Sequence, residues 1–198
     1  MTAAFASAVV TTVDEFPVTT VSRTALDVAR RAEFSRAVGS IDWALREQNP
    51  VHVTSDELFA ELEKLPVSVG KRHLERCVRF GSSVSGSFGE SMARAVMFEV
   101  GFEMPELQTR FESRTRTYFT DFFWRRFRVI AEFDGKGKYL NDEWTGGDPG
   151  HTVWEEKIRE DFLRSQGFTV VRLYWADLLN PHLLIAKLEA AGLLRGRT

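Results

Sequence analysis

Three short runs rich in aromatic and β-branched residues stand close together in the second half of the chain: Leu107 to Glu112, Tyr118 to Trp124 and Phe127 to Phe133. Such residues suit a pleated, half-buried backbone, and the short polar connections between the runs favour hairpins, so the three predict an antiparallel meander. The flanking pattern is helical. Ser87 and Glu90 form a capping-box pattern ahead of the stripe Met92, Ala93, Val96, Met97 and Val100, and Gly101 is a natural stop. Past a segment rich in Gly, Asp and Asn, Gly135 to Gly150, the spacing predicts a helix over Trp154 to Gln166, a strand over Phe168 to Trp175 and a last helix over Ala176 to Ala191. This order predicts an α/β fold with a mixed sheet flanked by helices, its fourth strand joining through the crossover helix.

The first part of the chain reads as short helices. Thr24 can cap a segment with Ala25, Leu26, Val28 and Ala29, after an extended Val18 to Val21. A second helix carries Phe34, Val38, Ile41, Trp43 and Leu45 and stops at Asn49 and Pro50; a third begins with the capping box of Thr54 and Glu57 and ends at Pro66. A fourth runs from Lys71 to Phe80, and the spacing of Leu74, Cys77 and Val78 makes the single cysteine a buried small hydrophobe. The Gly/Ser-rich stretch Gly81 to Gly86 is the best boundary, giving a helical region over 1–84 and a second domain over 85–198.

Composition sets few limits on function. With 43% hydrophobic residues in 198, a sizeable core is expected, and no apolar run is long enough to span a bilayer. The N-terminus lacks a basic n-region, so no signal peptide is expected and the location is expected to be cytoplasmic. A net charge of -2 gives no global field for a polyanion, so any nucleic-acid surface must be local. One segment meets that condition: between Leu107 and Lys138 eight basic residues face four acidic ones. Arg125, Arg126, Lys136 and Lys138, with Arg159 from the next helix, are candidates for phosphate contact, and Tyr139 and Trp144 could stack on bases. The same side chains also suit solvated strand edges and turns.

Acidic residues are poor strand formers, yet Asp121 and Glu132 lie inside strand-like runs, with Asp134 two residues further on. Local conflicts of this kind tend to mark function. If Arg125 and Arg126 make a two-residue turn, Trp124 pairs with Phe127, and Asp121 falls on the facing parity of Ile130, Glu132 and Asp134. A four-residue turn keeps that parity; a three-residue turn destroys it. Carboxylates gathered on one face repel, and a hard divalent cation relieves the repulsion, so Mg²⁺ or Mn²⁺ is the expected cofactor and phosphodiester hydrolysis the chemistry it suits. The plain alternative is a carboxylate paired with a neighbouring Arg.

An ordered set of short strings carries a family resemblance: Gly89-Glu90-Ser91, Gly101 through Pro105 with Gln108, Thr120-Asp121-Phe122, Ala131 through Lys136 with Lys138-Tyr139, Trp154 through Glu160, and Gly167 through Arg172. Over residues 85 to 190 the chain resembles the actinobacterial proteins related to the very-short-patch-repair (Vsr) endonucleases of the PD-(D/E)XK superfamily. The helical region resembles the segment preceding that domain in proteins described as AbiEi-type antitoxins or transcriptional regulators. The resemblance implies a restriction-endonuclease-like sheet, a metal-dependent DNA endonuclease serving repair or phage defence, and metal ligands Asp121, Glu132 and the helix residue Glu90. Asp134 stands where the superfamily has its lysine. That task would pass to Lys136, Lys138 or Lys157, while His151 is the only histidine in the intervening loop. The competing implication is a non-catalytic antitoxin or regulator of a type IV toxin-antitoxin system, which would bind a protein partner through the helical region.

Overall fold

A computed structural model describes residues 10–65, 70–135 and 149–196, with side chains in the last stretch from Trp154 onward. The chain divides into two compact units, Met1–Ala95 and Val96–Thr198. The division falls inside a helix, beyond the Gly81 to Gly86 stretch.

The first unit opens with a hairpin of β1 (Val10–Val13) and β2 (Phe16–Thr19), paired in register from Val10 with Thr19 to Val13 with Phe16. Only an extended stretch was expected there. The turn residues Asp14 and Glu15 both have positive φ (49° and 69°), a conformation usually signalled by Asn-Gly, and Glu15 gives no such signal. Four helices follow: α1 (Val21–Ala29), α2 (Phe34–Leu45), α3 (Ser55–Glu63) and α4 (Lys71–Phe80). Thr20, not Thr24, caps α1, accepting from the Arg23 N–H at 3.3 Å, because the strand turns into the helix one turn earlier than its apolar pattern suggests. The Thr54–Glu57 capping box is present as expected. Pro66 lies outside the described residues. Leu26, Val38, Ile41, Leu58, Leu62, Leu74 and Cys77 form the core, and Cys77 is fully buried.

A buried, hydrogen-bonded charged pair joins two helices of this unit. Asp42 on α2 accepts from Arg94 on α5 (Phe88–Glu99) at 2.9 and 3.1 Å, and also from the Ser82 backbone N–H at 2.8 Å. The side chain of Arg46 bonds the Ser85 carbonyl at 2.9 Å. Two bonds therefore tie the Gly/Ser segment to α2 and to the residue that caps its C-terminus.

The second unit holds a four-stranded sheet in the order β3 (Glu106–Glu112), β4 (Thr117–Trp124), β5 (Val129–Phe133), β6 (Thr169–Leu173). The first three strands form the expected antiparallel meander, and β6 lies parallel to β5 after the crossover helix α6 (Pro149–Ser165). The mixed α/β sheet flanked by helices is thus the fold of this unit. The final helix is broken in two, α7 (Trp175–Leu179) and α8 (Pro181–Ala190), because Pro181 cannot continue a helix and Asn180 caps a new one. Under α6, Phe123, Ile130, Leu163 and Val170 make a buried cluster with Phe111, Phe162 and Phe168 against it. Among the described residues no helix is long and apolar enough to cross a membrane.

The buried Asp42–Arg94 pair yields a test of the first unit. Burial outweighs the attraction of Arg94 and pushes the Asp42 carboxyl up from its ordinary value. Arg94→Met should cost about 3–5 kcal/mol in urea unfolding, since it leaves a buried carboxylate without its cation. Adding Asp42→Leu should recover most of that loss.

Candidate functional site

The connection between β4 and β5 sets the register of the site. Trp124 pairs with Val129, not with Phe127, so of the turn lengths weighed it is the four-residue one, Arg125 to Arg128, that forms. Phe127 N–H bonds the Trp124 carbonyl and Arg128 N–H that of Arg125, both at 3.2 Å. Arg128 sits at φ 53°, where few non-glycine residues are found. Its guanidinium holds the Gln166 and Gly167 carbonyls, and its own carbonyl accepts from Thr169 N–H at 3.0 Å, so the end of α6 and the start of β6 stabilise the turn. Two added turn residues slide the register by two and leave the facing parity unchanged.

That register puts Asp121 directly across from Glu132, in line with the Phe122–Ala131 pair. On the far side of β4 the β3 register aligns Gln108 with Asp121, and on the far side of β5 Glu132 pairs with Arg172. Gln108, Asp121, Glu132 and Arg172 thus form a polar row across all four strands. The next row along the same strands, Phe123, Ile130 and Val170, is apolar and buried. Gln108 has φ 47°, a strained conformation inside a strand, and its amide nitrogen lies 3.5 Å from Asp121 Oδ1. Asp121 Oδ2 accepts from the Phe133 backbone N–H at 2.8 Å, which ties the carboxylate to the neighbouring strand.

Glu132 is 8% exposed. Arg159, one turn before Leu163 on the sheet-facing side of α6, donates through Nη2 to both its oxygens at 2.5 and 2.6 Å and to the Phe119 carbonyl at 2.6 Å. Burial pushes the Glu132 carboxyl up to about 7; Arg159 and Arg172 pull it down, and the charge of Asp121 pushes it up. Arg172 is engaged by two carboxylates of α6, Glu156 at 3.6 Å and Glu160 at 3.3 Å.

The remaining candidates are placed as follows. Asp134 lies just past β5, half-buried, its backbone N–H donating to the Leu173 carbonyl at 2.8 Å. Glu90 belongs to the first unit, where its carboxylate accepts from Gly86 N–H at 2.8 Å and its own N–H bonds Ser87 Oγ at 3.1 Å. Lys157 is exposed and two residues from Arg159, so it points to nearly the opposite side of α6. Arg125 is paired with Glu106 at 2.7 and 2.9 Å, and exposed Arg126 lies over the Phe127 ring. Lys136, Lys138, Tyr139 and Trp144 lie outside the described residues, as does the side chain of His151. Among the described residues no three His, Cys, Asp or Glu side chains gather closely enough to hold an ion. The described acidic site is therefore the pair Asp121 and Glu132, with Gln108 and Arg159 beside it. Sequence reasoning did not give Gln108 or Arg172 a role, and only the register reveals their alignment with the carboxylates.

Known proteins add little to the chemistry. The chain is 30% identical over 156 residues to the uncharacterized proteins Rv2248 and MT2308 of two Mycobacterium tuberculosis strains, H37Rv and CDC 1551. The match covers 78% of this chain and 54% of each relative, so the chain spans about half the length of the curated relatives it matches. No family model and no solved structure matches it.

The raised Glu132 carboxyl makes stability depend on pH. Between its ordinary value of 4.5 and about 7 the folded protein binds more protons at this site than the unfolded chain does, so the contribution falls as pH rises through that window. In metal-free urea titrations Glu132→Gln should gain on the wild type by about 3 kcal/mol between pH 4 and pH 8. A difference that stays flat across this range would mean that folding leaves the Glu132 carboxyl at its ordinary value.

Proposed function

We propose that the protein is a metal-dependent DNA endonuclease whose Mg²⁺ or Mn²⁺ is held by Asp121 and Glu132. The observation that carries this reading is the direct opposition of two carboxylates, one of them buried, on adjacent strands. Magnesium is commonly held by one or two carboxylates, with water and phosphate oxygens completing the shell, so the pair fits such an ion without a third protein ligand. When bound, the ion would lower the pKa of a coordinated water and stabilise charge on the phosphate.

The chain's own residues supply the frame. Phe133 N–H fixes one oxygen of Asp121 and Gln108 approaches the other, so the carboxylate is oriented before any ligand arrives. Exposed Phe119 on β4 and Trp154 on α6 offer rings to a base, and Arg125, Arg126 and Arg159 offer charge to phosphates. The residue that activates water would come from Lys136 or Lys138, since Lys157 lies on nearly the opposite side of α6 from Arg159. A cytoplasmic location accords with DNA as substrate.

One observation favours a second reading. Arg159 already balances the charge of Glu132, as it would in a domain that kept the nuclease frame without its chemistry. Such a protein would act as an antitoxin or regulator and bind its partner through the helical region. Cleavage assays with supercoiled, mismatched and single-stranded DNA in Mg²⁺ and Mn²⁺ separate the two. Asp121→Asn should fold normally and lower cleavage by at least about a hundredfold, the upper range for disturbing even a ligand's supporting partner. No cleavage of any substrate by the wild type with either metal would sink the nuclease reading.

A further inference from the structure

The Arg159–Glu132 contact sets a positive centre against the buried carboxylate. A single nitrogen, Arg159 Nη2, lies 2.5 and 2.6 Å from the two oxygens of Glu132 and 2.6 Å from the Phe119 carbonyl. Three oxygens converge on one positive centre, as they would on a cation. That nitrogen carries only two hydrogens, so three acceptors cannot each receive a well-directed bond, and the contact is mainly electrostatic. Among the described residues Nε and Nη1 of Arg159 make no hydrogen bond, so most of the guanidinium fork is uncommitted.

The surroundings make this the movable partner. The Arg159 side chain is 30% exposed and that of Glu132 is 11% exposed, so the arginine can leave toward solvent while the carboxylate cannot. The other nearby cation, Arg172, is held by Glu156 and Glu160. Asp121 adds negative charge beside Glu132; one of its oxygens accepts from Phe133 N–H and Gln108 approaches the other. A divalent ion settling between the two carboxylates would repel a guanidinium at hydrogen-bond distance.

We propose that Arg159 is a displaceable internal cation: it neutralises Glu132 in the metal-free protein, is expelled when a divalent ion binds, and then takes the substrate phosphate. This rests on the reading of Asp121 and Glu132 as metal ligands. The arginine fork suits a phosphate, since two parallel N–H groups match two phosphate oxygens. Exchange of one cation for another also keeps the buried carboxylate neutralised at every stage.

Calorimetric titration of Mn²⁺ into the full chain tests the displacement by its sign. Arg159→Gln should bind Mn²⁺ more tightly than the wild type, on the order of tenfold, because no internal cation competes, and Asp121→Asn in that background should abolish the binding. A merely structural arginine predicts equal or weaker binding, and that result would overturn the displacement while Asp121-dependent binding by the wild type left the metal site standing. Absence of binding in both wild type and Arg159→Gln would remove both readings. In the wild type, Mg²⁺ should move the Arg159 side-chain NMR signal, identified by its loss in Arg159→Lys; saturation of the site without that shift would also overturn the displacement. A short DNA duplex should bind more weakly to Mg²⁺-loaded Arg159→Gln than to the loaded wild type. Unchanged DNA affinity would overturn the transfer to phosphate.

Discussion

A carboxylate buried in an inner strand is the costly feature around which the second unit is arranged. Glu132 sits on β5, between β4 and β6, and burial, helped by the charge of Asp121, drives its carboxyl up to about 7 despite a charged partner at 2.5 Å. A group in that position must be paired, protonated or bound to an ion. The structure brings the pairing from outside the sheet, by laying α6 across it so that Arg159 reaches down to Glu132. The helix, the strand order and the acidic site are therefore one problem with one solution.

The same helix meets two kinds of sheet surface. Toward its C-terminal end Leu163 and Phe162 cover the apolar row of Phe123, Ile130 and Val170, whose burial supplies the non-directional attraction that seats the helix. One turn earlier, Arg159, Glu156 and Glu160 face Glu132 and Arg172. The apolar end fixes the position of the helix, and the charged end uses that position. Crossover connection and site formation are coupled for this reason: the strand that α6 delivers, β6, also brings Arg172 beside Glu132.

The four-residue turn from Arg125 to Arg128 is the other element on which the site depends. It aligns Asp121 with Glu132, whereas a turn of odd length would send one carboxylate to the opposite face of the sheet. Arg128 accepts an unfavourable backbone conformation there because its side chain closes onto the Gln166 and Gly167 carbonyls. Contacts remote in sequence thus stabilise a local geometry that local preference disfavours.

Much of the architecture follows from periodicity and punctuation alone. The meander, the crossover helix, the parallel fourth strand, the buried Cys77 and the Thr54 capping box were legible because each rests on residues within a few positions of one another. The shared facing parity of Asp121 and Glu132 was legible too, since alternation depends only on whether the turn is even or odd. The Asp14–Glu15 turn, the Thr20 cap and the break at Pro181 were local features that their neighbours obscured. What only the tertiary structure decided was which groups meet: the slide of two residues that opposes Asp121 to Glu132, the alignment of Gln108 and Arg172 with them, and the choice of Arg159 over Lys157 as the cation on the buried carboxylate. Sequence specifies which residues share an element's face, because that is set by backbone geometry. Pairing across elements is set by the packing of α6 on the apolar row, and no short stretch of sequence contains that information.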